Sequence, residues 1–419
     1  MKTIIYLNSM ISIVFTLCYA YQFFYIFVGL LGKPKTFTAS KNHKYAVVIS
    51  ARNERDVIGQ LIKSIKEQNY PSDMIDVFVI ADNCTDDTAK VAKDAGAFVY
   101  ERFNTAKVGK GYALDWMFDI IKKEYDYKGY EAFMVFDADN ILDRNYVAEM
   151  NKVFDNGYRI ITSYRNSKNF GSNWISAGYS LWFLREAKFL NNSRMQLNTS
   201  CAISGTGFLV SADIINKNGG WIHHLLTEDI EFTIDSVIHG EKIGYCADAV
   251  LYDEQPTLFK QSYTQRLRWA KGFYQVFSNY GSKLFRSAVK GSFSSFDMLM
   301  TVLPSMLLTL VSFIINAVAV PLGILSGSPE TEVLLQTLGQ TIFNFYGLFF
   351  ILGAITTITE WQHIHSSKGK IIMNLFTFPV FMLSYVPIAV IAIFKKVEWK
   401  PIKHSVVRTL EEVRGEITV

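Results

Sequence analysis

Two aspartates separated by one residue, Asp137 and Asp139, follow a short apolar run in the stretch FDADN. Side chains at i and i+2 of an extended chain lie on the same face, so both carboxylates are predicted to face one cleft. Such a pair repels unless a cation lies between its members, and Mg²⁺ or Mn²⁺ fits because such ions share carboxylates with substrate phosphates. A glycosidase pair is the competing interpretation, but its carboxyls lie ~5–9.5 Å apart, so neighbours on one strand favour a shared metal.

A second acidic group, Glu228 and Asp229, follows Thr227 in the stretch LTEDIEF. A threonine cap with acids in the next turn is also typical of an ordinary helix start, so capping and catalysis both stay open. In the catalytic interpretation Asp229 is a general base that takes a proton from an attacking hydroxyl. Gly205 and Thr206 in SGTGF precede this group, and small residues permit close approach of a ligand.

A third group is the basic and aromatic stretch TQRLRWAKGFYQ at residues 264–275. On a helix Gln265, Arg268 and Trp269 are i, i+3 and i+4, so they share one face, and Arg266 and Lys271 are expected at the bilayer surface on the other. A plain membrane-surface helix is the alternative. A nucleic-acid partner is not expected, because the net charge is only +4 and no broad basic surface is implied.

The elements that must position these groups alternate between strand and helix patterns. Apolar, β-branched runs at residues 45–50, 76–81, 97–100 and 132–136 predict strands, and residues 57–67, 86–95, 111–123 and 144–155 predict helices. This series predicts an α/β fold with a parallel sheet, whose ligands bind at the carboxyl ends of the strands. Ala51, Glu54 and Asp82 lie just after the first two strands, where turn formation is the alternative explanation.

Apolar residues make up 50% of the 419 residues and are concentrated at the two ends of the chain. Residues 4–31 contain no charge and exceed the ~20 residues of a membrane span, although a cleaved signal stays an alternative. Lys33 and Lys35 then place the following domain in the cytoplasm. The four scattered cysteines indicate a reducing compartment.

Three further apolar runs lie at residues 298–325, 342–358 and 371–394. Pro379 and Pro387 interrupt the last run and lysines follow it, so a broken segment that returns to the cytoplasm is favoured over a simple span. The predicted division of the chain is an N-terminal transmembrane helix (1–35), a catalytic domain (36–255), interfacial helices (256–295), a transmembrane or re-entrant region (296–395) and a cytoplasmic tail with a gating segment (396–419).

Taken in order, the stretches SARNE, ADNCTDDT, VGKG, FDADN, SGTGF, LTEDIEF and QRLRWAKG resemble the membrane-bound family 2 glycosyltransferases. That branch includes synthases of cellulose, other β-glucans, hyaluronan and poly-N-acetylglucosamine. The resemblance implies a GT-A fold, with flanking transmembrane helices, in a bacterial plasma membrane. It also implies a processive, inverting enzyme that polymerises a UDP-sugar and moves the polymer across the membrane. The favoured donor is UDP-glucose, and the favoured product is a β-glucan such as cellulose or a mixed-linkage glucan.

Alternatives to that function are a non-processive transfer of one sugar to a lipid carrier, a β-linked N-acetylglucosamine polymer or hyaluronan, and an inactive scaffold. The expected partners are the UDP-sugar, a growing β-glycan and the bilayer. The small number of apolar runs also leaves room for a homo-oligomer or an accessory export subunit. The stretch KKVEWKPIKH around Trp399 resembles the segment that closes over the donor in polymer synthases.

The resemblance also implies roles for single residues. Ala51, Glu54 and Asp82 would hold uridine, Lys110 would lie near the diphosphate, and Asp137 and Asp139 would hold the donor and a Mg²⁺ or Mn²⁺ ion. Asp229 would be the base beside Glu228, Arg268 and Gln265 would contact the leaving diphosphate, and Trp269, Gly205 and Thr206 would lie at the acceptor. One departure is Asn83-Cys84 after Asp82, where many members have a second acid and a glycine.

Overall fold

Eight strands form one sheet in the middle of the chain. The structure is a computed structural model that describes residues 2–302 and 304–415, without the side chains of residues 304–310 and 313. The strands are β1 (Tyr45–Ala51), β2 (Ile75–Asp82), β3 (Phe98–Arg102), β4 (Ala132–Asp137), β5 (Ile141–Leu142), β6 (Ile160–Ser167), β7 (Phe208–Ser211) and β8 (Ile243–Asp253). Their order in the sheet is β3-β2-β1-β4-β7-β6-β8-β5.

The predicted α/β core is confirmed in its first half. Strands β3, β2, β1 and β4 are parallel neighbours, and the helices between them are α2 (Ile58–Lys66), α3 (Thr88–Asp94), α4 (Lys110–Glu124) and α5 (Tyr146–Asp155), after α1 (Lys2–Leu31). Val47, Val48 and Ile49 are fully buried, as expected for a parallel strand covered on both faces. The carboxyl ends of these strands therefore share one edge.

The second half of the sheet, whose strands were not predicted, is mixed rather than parallel. Strand β7 runs antiparallel to both β4 and β6, and β5 runs antiparallel to β8. The helices of this half are α6 (Trp174–Arg185), α7 (Asn192–Gln196), α8 (Ala212–Asn218) and α9 (Glu228–Ile238), with a π-helical segment at Glu186–Asn191.

Long helices follow the sheet. They are α10 (Phe259–Val289), α11 (Phe293–Val302), α12 (Pro304–Leu325), α13 (Glu330–Thr359), α14 (Lys368–Leu383), α15 (Tyr385–Phe394) and the short α16 (Leu410–Arg414). Among the described residues three helices are long and apolar enough to cross a membrane: Lys2–Leu31, Glu330–Thr359 and Lys368–Phe394. In the predicted segments 298–325 and 396–419, residue 303 and residues 416–419 lie outside the described part.

The last apolar run is interrupted at Ser384, between α14 and α15. Pro379 lies inside α14, whereas Pro387 lies in the first turn of α15. In a continuous helix Pro387 would have no N–H for the Leu383 carbonyl and its ring would clash with that carbonyl, so Pro387 accounts for the break. Carbonyl groups freed at a break in an apolar environment need other donors.

Arg266 of α10 supplies a donor at the break, and Lys271 of α10 supplies one near the end of α15. Arg266 Nη1 donates to the Phe381 carbonyl at 3.2 Å and to Ser384 Oγ at 2.8 Å, and Lys271 Nζ donates to the Ala392 carbonyl at 3.1 Å. Arg266 is only 2% exposed. The expectation that it faces the bilayer surface is therefore wrong, because α15 covers that side of α10.

Candidate active site

The acid pair lies at the carboxyl end of β4. Asp137 is the last residue of the strand, whereas Asp139 lies in the turn that follows, so the two do not follow the alternation of an extended chain. Lys110, the first residue of α4, contacts Asp137 Oδ1 at 2.5 Å and donates to the Gly205 carbonyl at 2.8 Å. The N–H of Asp137 donates to Thr206 Oγ1 at 2.9 Å. The structure thus brings four predicted site residues together.

Asp139 is buried beside several positive groups. Its Oδ2 accepts the Glu254 N–H at 2.7 Å. Burial alone would raise the pKa of Asp139, but the charges of His404 and Lys168 and this N–H lower it below its usual value. The carboxylate is therefore held ionised, as a ligand for a hard cation must be.

The divalent ion that the resemblance implies would need oxygen ligands from these carboxylates. The described residues hold no cluster of three or more His, Cys, Asp or Glu side chains in ligating positions. One or two carboxylates are enough for Mg²⁺ when substrate phosphates and water complete the shell. Asp137 and Asp139 fit that kind of site.

Of the three acids at the start of α9, one has a structural role and the other two are not explained by helix capping. Glu231 accepts the Leu225 N–H at 2.9 Å and the Tyr280 hydroxyl at 3.0 Å, so it is structural. The buried Thr227 hydroxyl makes no hydrogen bond with any described residue, so it does not cap the helix. The capping explanation therefore does not account for Glu228 and Asp229.

Glu228 and Asp229 face the same cleft as the first acid pair. Asp229 Oδ2 lies 3.8 Å from the position that a Cβ at Gly205 would occupy. Burial and the charge of Asp229 raise the pKa of Glu228 to about 7, against the lowering effect of Lys110 and Arg268. Burial also raises the pKa of Asp229. Carboxyls with pKa values moved towards neutrality are suited to proton transfer.

The predicted face of α10 lies next to this second acid pair. The half-buried Arg268 lowers the pKa of both acids through its charge. Trp269 packs edge-on against Tyr179 at 5.7 Å and Phe183 at 6.3 Å between ring centroids. Gln265 Oε1 is buried without a hydrogen-bond partner among the residues described. We call Trp269, Tyr179 and Phe183 the aromatic wall.

A glycine sets the distance between α10 and α9. A Cβ at Gly272 would lie 2.4 Å from Thr227 Oγ1 and 2.9 Å from Thr227 Cβ, closer than real contacts permit. We expect Gly272→Ala to push Arg268 and Trp269 away from Asp229 and to lower kcat about a hundredfold, since a shift of ~1 Å costs that much. Steady-state kinetics on the folded protein measure the effect.

The same geometry provides a compensating change. Thr227→Gly removes every atom of the Thr227 side chain that the new methyl would meet, and glycine is tolerated at a helix N-cap. The double variant should recover most of the activity. Equal losses in the single and double variants would contradict a positioning role for Gly272.

The donor-binding candidates lie at the ends of β1 and β2. The Glu54 N–H donates to Thr88 Oγ1 at 2.8 Å, and its Oε1 contacts His404 Nδ1 at 2.9 Å. Asp82 Oδ1 is paired with Arg102 Nη1 at 2.5 Å, so this carboxylate already has a cation that the sequence prediction did not include. Ala51 ends β1 next to them.

Asn83 replaces the second acid with a local turn. It has a φ of 53° and joins the strands by accepting the Asn104 N–H at 2.8 Å and donating to the Asn104 carbonyl at 3.1 Å. Asparagine tolerates this left-handed backbone better than most residues. The departure from the expected motif therefore has a structural role.

Residues near the chain end also reach the site, including the stretch KKVEWKPIKH that resembles a segment closing over the donor, although no single residue of it was predicted as a site residue. We call residues 395–408 the C-terminal strap. Glu254 accepts the N–H groups of Ser405 and Val406 at 3.0 and 2.8 Å. Burial would lower the pKa of His404, but the carboxylates of Asp139 and Glu54 raise it to about 10. His404 and Glu54 are 350 positions apart, and no periodic pattern links them.

Arg165 and Asp253 form a second set that was missed. Arg165 Nε donates to Asp253 Oδ2 at 2.7 Å, its Nη1 donates to the Ser204 carbonyl at 2.7 Å, and its guanidinium stacks on Phe183 at 3.7 Å. This ion pair holds the loop that carries Gly205. Asp253 ends β8, so the rule that polar residues follow site strands would have found it, had β8 been predicted.

The parallel half-sheet with acids at its carboxyl edge, the antiparallel insertion and the second acid pair define a GT-A glycosyltransferase fold. The family model described as "Glycosyltransferase like family 2" matches residues 43–272. The chain belongs to this family.

Several known proteins are similar to the chain. The probable glycosyltransferase YdaM of Bacillus subtilis is 25% identical over 265 residues, which are 58% of each chain. The β-monoglucosyldiacylglycerol synthase of Nostoc sp. is 26% identical over 62% of this chain and 54% of its own length. The chain thus spans little more than half the length of these relatives.

A solved structure extends the similarity to almost the whole chain. The mannosyltransferase PcManGT of Pyrobaculum calidifontis, in complex with GDP-Man and Mn²⁺, superposes with a TM-score of 0.56 over 92% of this chain and 98% of its own, at 16% identity. At that identity the likeness concerns the fold alone.

Proposed function

We propose that the protein is a non-processive, inverting glycosyltransferase that moves one hexose from a nucleotide sugar to a hydroxyl of a membrane lipid. The observation that carries this proposal is the cleft in which Asp229 faces Gly205 while Lys110 holds both the Gly205 loop and Asp137. A base and a diphosphate site thus meet at one loop. The names of the Nostoc relative and of its counterparts, β-monoglucosyldiacylglycerol synthases, support glucose and a diacylglycerol-like acceptor.

In the proposed reaction Asp229 takes the proton of the acceptor hydroxyl, and the hydroxyl oxygen attacks the anomeric carbon from the opposite side to the diphosphate. The bond from that carbon to the diphosphate oxygen breaks, and its electron pair leaves with the nucleoside diphosphate. Lys110 and Arg268 offset the charge that develops on this leaving group. One displacement turns an α-linked donor into a β-linked product.

Asp137 and Asp139 would hold a Mg²⁺ or Mn²⁺ ion against the diphosphate. The ion, when bound, supplies positive charge to the phosphate oxygens as a Lewis acid. Glu54, Asp82 and Ala51 would line the nucleoside end of the donor site. The Mn²⁺ and sugar nucleotide named with PcManGT support the same class of ligands here.

The membrane arrangement is part of the proposal. The helices Lys2–Leu31, Glu330–Thr359 and Lys368–Phe394 would anchor the enzyme, with the catalytic domain on the cytoplasmic side of a bacterial plasma membrane. A lipid acceptor embedded in the bilayer would then reach Asp229 by passing the aromatic wall. We propose the same division of the chain into domains that the sequence predicts.

A processive polysaccharide synthase is the second candidate. The aromatic wall favours it, because flat apolar faces suit successive sugar rings, and so does the C-terminal strap, which covers the donor residues Glu54 and Asp139. A synthase needs its product to stay bound between transfers, whereas a lipid transferase releases it after one.

We expect membranes that contain the enzyme to convert labelled UDP-glucose into a product that partitions into organic solvent and carries one hexose. The test incubates these membranes with labelled UDP-glucose or GDP-mannose, extracts lipids and analyses the remainder with linkage-specific glycanases. Label in a glycanase-sensitive polymer would overturn the lipid acceptor and favour the synthase. Membranes with the Asp229→Asn variant give the background.

A further inference from the structure

The exposed side chains of the C-terminal strap are strongly basic. Lys395, Lys396, Lys400 and Lys403 are all exposed, and Glu398 is the single acid among residues 395–408. The start of α10 lies against the strap: Gln261 donates to the Lys403 carbonyl at 2.9 Å, Lys395 lies over the Tyr263 ring, and exposed Lys260 precedes Gln261. Five exposed lysines thus lie on the strap and on the start of α10 that contacts it, and we call them the lysine rim.

Apolar side chains border the lysine rim. Phe394, the last residue of α15, is 76% exposed, and Leu258 and Phe259 at the start of α10 are 67% and 51% exposed. Apolar side chains beside lysines suit the boundary between acyl chains and headgroups. Clusters of lysines next to a membrane segment attract anionic lipids.

Other residues of the same strap are fastened to the donor site. His404 contacts Glu54, the N–H groups of Ser405 and Val406 donate to Glu254, and Arg408 donates to the Lys168 carbonyl at 2.8 Å. The Arg52 guanidinium lies over the Trp399 ring, 5.4 Å from the centroid of that ring. Whatever binds the lysine rim therefore acts on a segment that contacts the donor residues.

We propose that the lysine rim binds the anionic headgroups of the bilayer, and that this contact holds the C-terminal strap seated on the donor site. Charge selects the occupant: five lysines against one glutamate match an anionic lipid surface, and a zwitterionic surface offers no net charge to them. The inference rests on the membrane orientation proposed above. It adds a second lipid contact, separate from the acceptor.

The test places the full-length protein in nanodiscs of phosphatidylcholine alone or with phosphatidylglycerol and follows hydrogen exchange. The Ser405 and Val406 amides report seating, because Glu254 protects both. We expect both amides to exchange more slowly in the anionic discs. In the double variant Lys400→Gln/Lys403→Gln, this protection factor should fall about fivefold for each lysine removed. Added salt should remove the effect.

A matched control removes the same charge elsewhere. Lys122 and Lys123 are exposed on α4, so Lys122→Gln/Lys123→Gln should keep the lipid dependence. Equal exchange in both kinds of disc, or equal losses in the two double variants, would overturn the inference. Exchange needs no substrate, so a failure of the lipid-acceptor proposal would show in the product assay and leave this result intact.

Discussion

Asp229→Asn is expected to lower the transfer rate about a hundredfold to ten-thousandfold, the usual contribution of a general base. The amide keeps the size of the side chain but cannot take the proton of the acceptor hydroxyl. Because Asp229 faces Gly205 rather than the nucleoside residues Glu54 and Asp82, donor affinity should be kept. Single-turnover transfer and a separate titration with the nucleoside diphosphate measure the two effects.

The control for this variant is Asp213→Asn. Asp213 is exposed on α8, and the substitution removes the same charge without touching the cleft. It should leave the rate near that of the unmodified enzyme. If Asp229→Asn still transfers sugar at a normal rate, another group is the base, and Glu228 is the first to test.

Arg268→Ala and Arg266→Ala are expected to fail in different ways. Removing Arg268 takes a cation from beside the second acid pair, and kcat should fall about a hundredfold to a thousandfold with the fold intact. Removing Arg266 takes one donor from the Phe381 carbonyl, to which the Ser384 hydroxyl also donates, and takes away the donor to Ser384 Oγ. It also removes the guanidinium that packs on the Phe381 ring, and the loss should cost about 2 kcal/mol of stability.

The two outcomes are separated by measuring Tm and kcat on the same detergent-solubilised samples. Arg266→Ala should lower Tm while the folded fraction keeps its kcat. Arg268→Ala should lower kcat and leave Tm unchanged. Arg286→Ala, at the far end of α10, is the matched control, because Arg286 is exposed and its loss should move neither quantity. Equal effects of Arg266→Ala and Arg268→Ala on kcat would mean that α10 acts only as a packing element.

Local rules predicted the residues that act close to one another in the chain. Asp137 follows an apolar run, and polar residues after parallel strands meet at one edge, so the first half of the site was predictable. Gln265, Arg268 and Trp269 share a face because 3.6 residues make a helical turn. Nothing local separates Glu228 and Asp229 from an ordinary helix start, and only the uncapped Thr227 removed that alternative.

The family match supports the assignment to family 2 glycosyltransferases but does not support the finer assignment to a polymer synthase. The motifs that the sequence contains are those of the family, and a polymer synthase and a single-sugar transferase of this family can share them. Processivity depends instead on whether the product stays bound after each transfer. That property is not carried by the spacing of Arg268 and Trp269.

The sequence by itself determined the α/β core, the edge of the sheet that carries chemistry, the acid groups and the apolar ends, because each follows from periodicity and composition over a few residues. Only the tertiary structure decided which charges meet. Arg102 pairs with Asp82, His404 with Glu54, and Arg266 with the break at Ser384. The last two pairs join segments more than a hundred positions apart, and packing of the whole chain sets such distances.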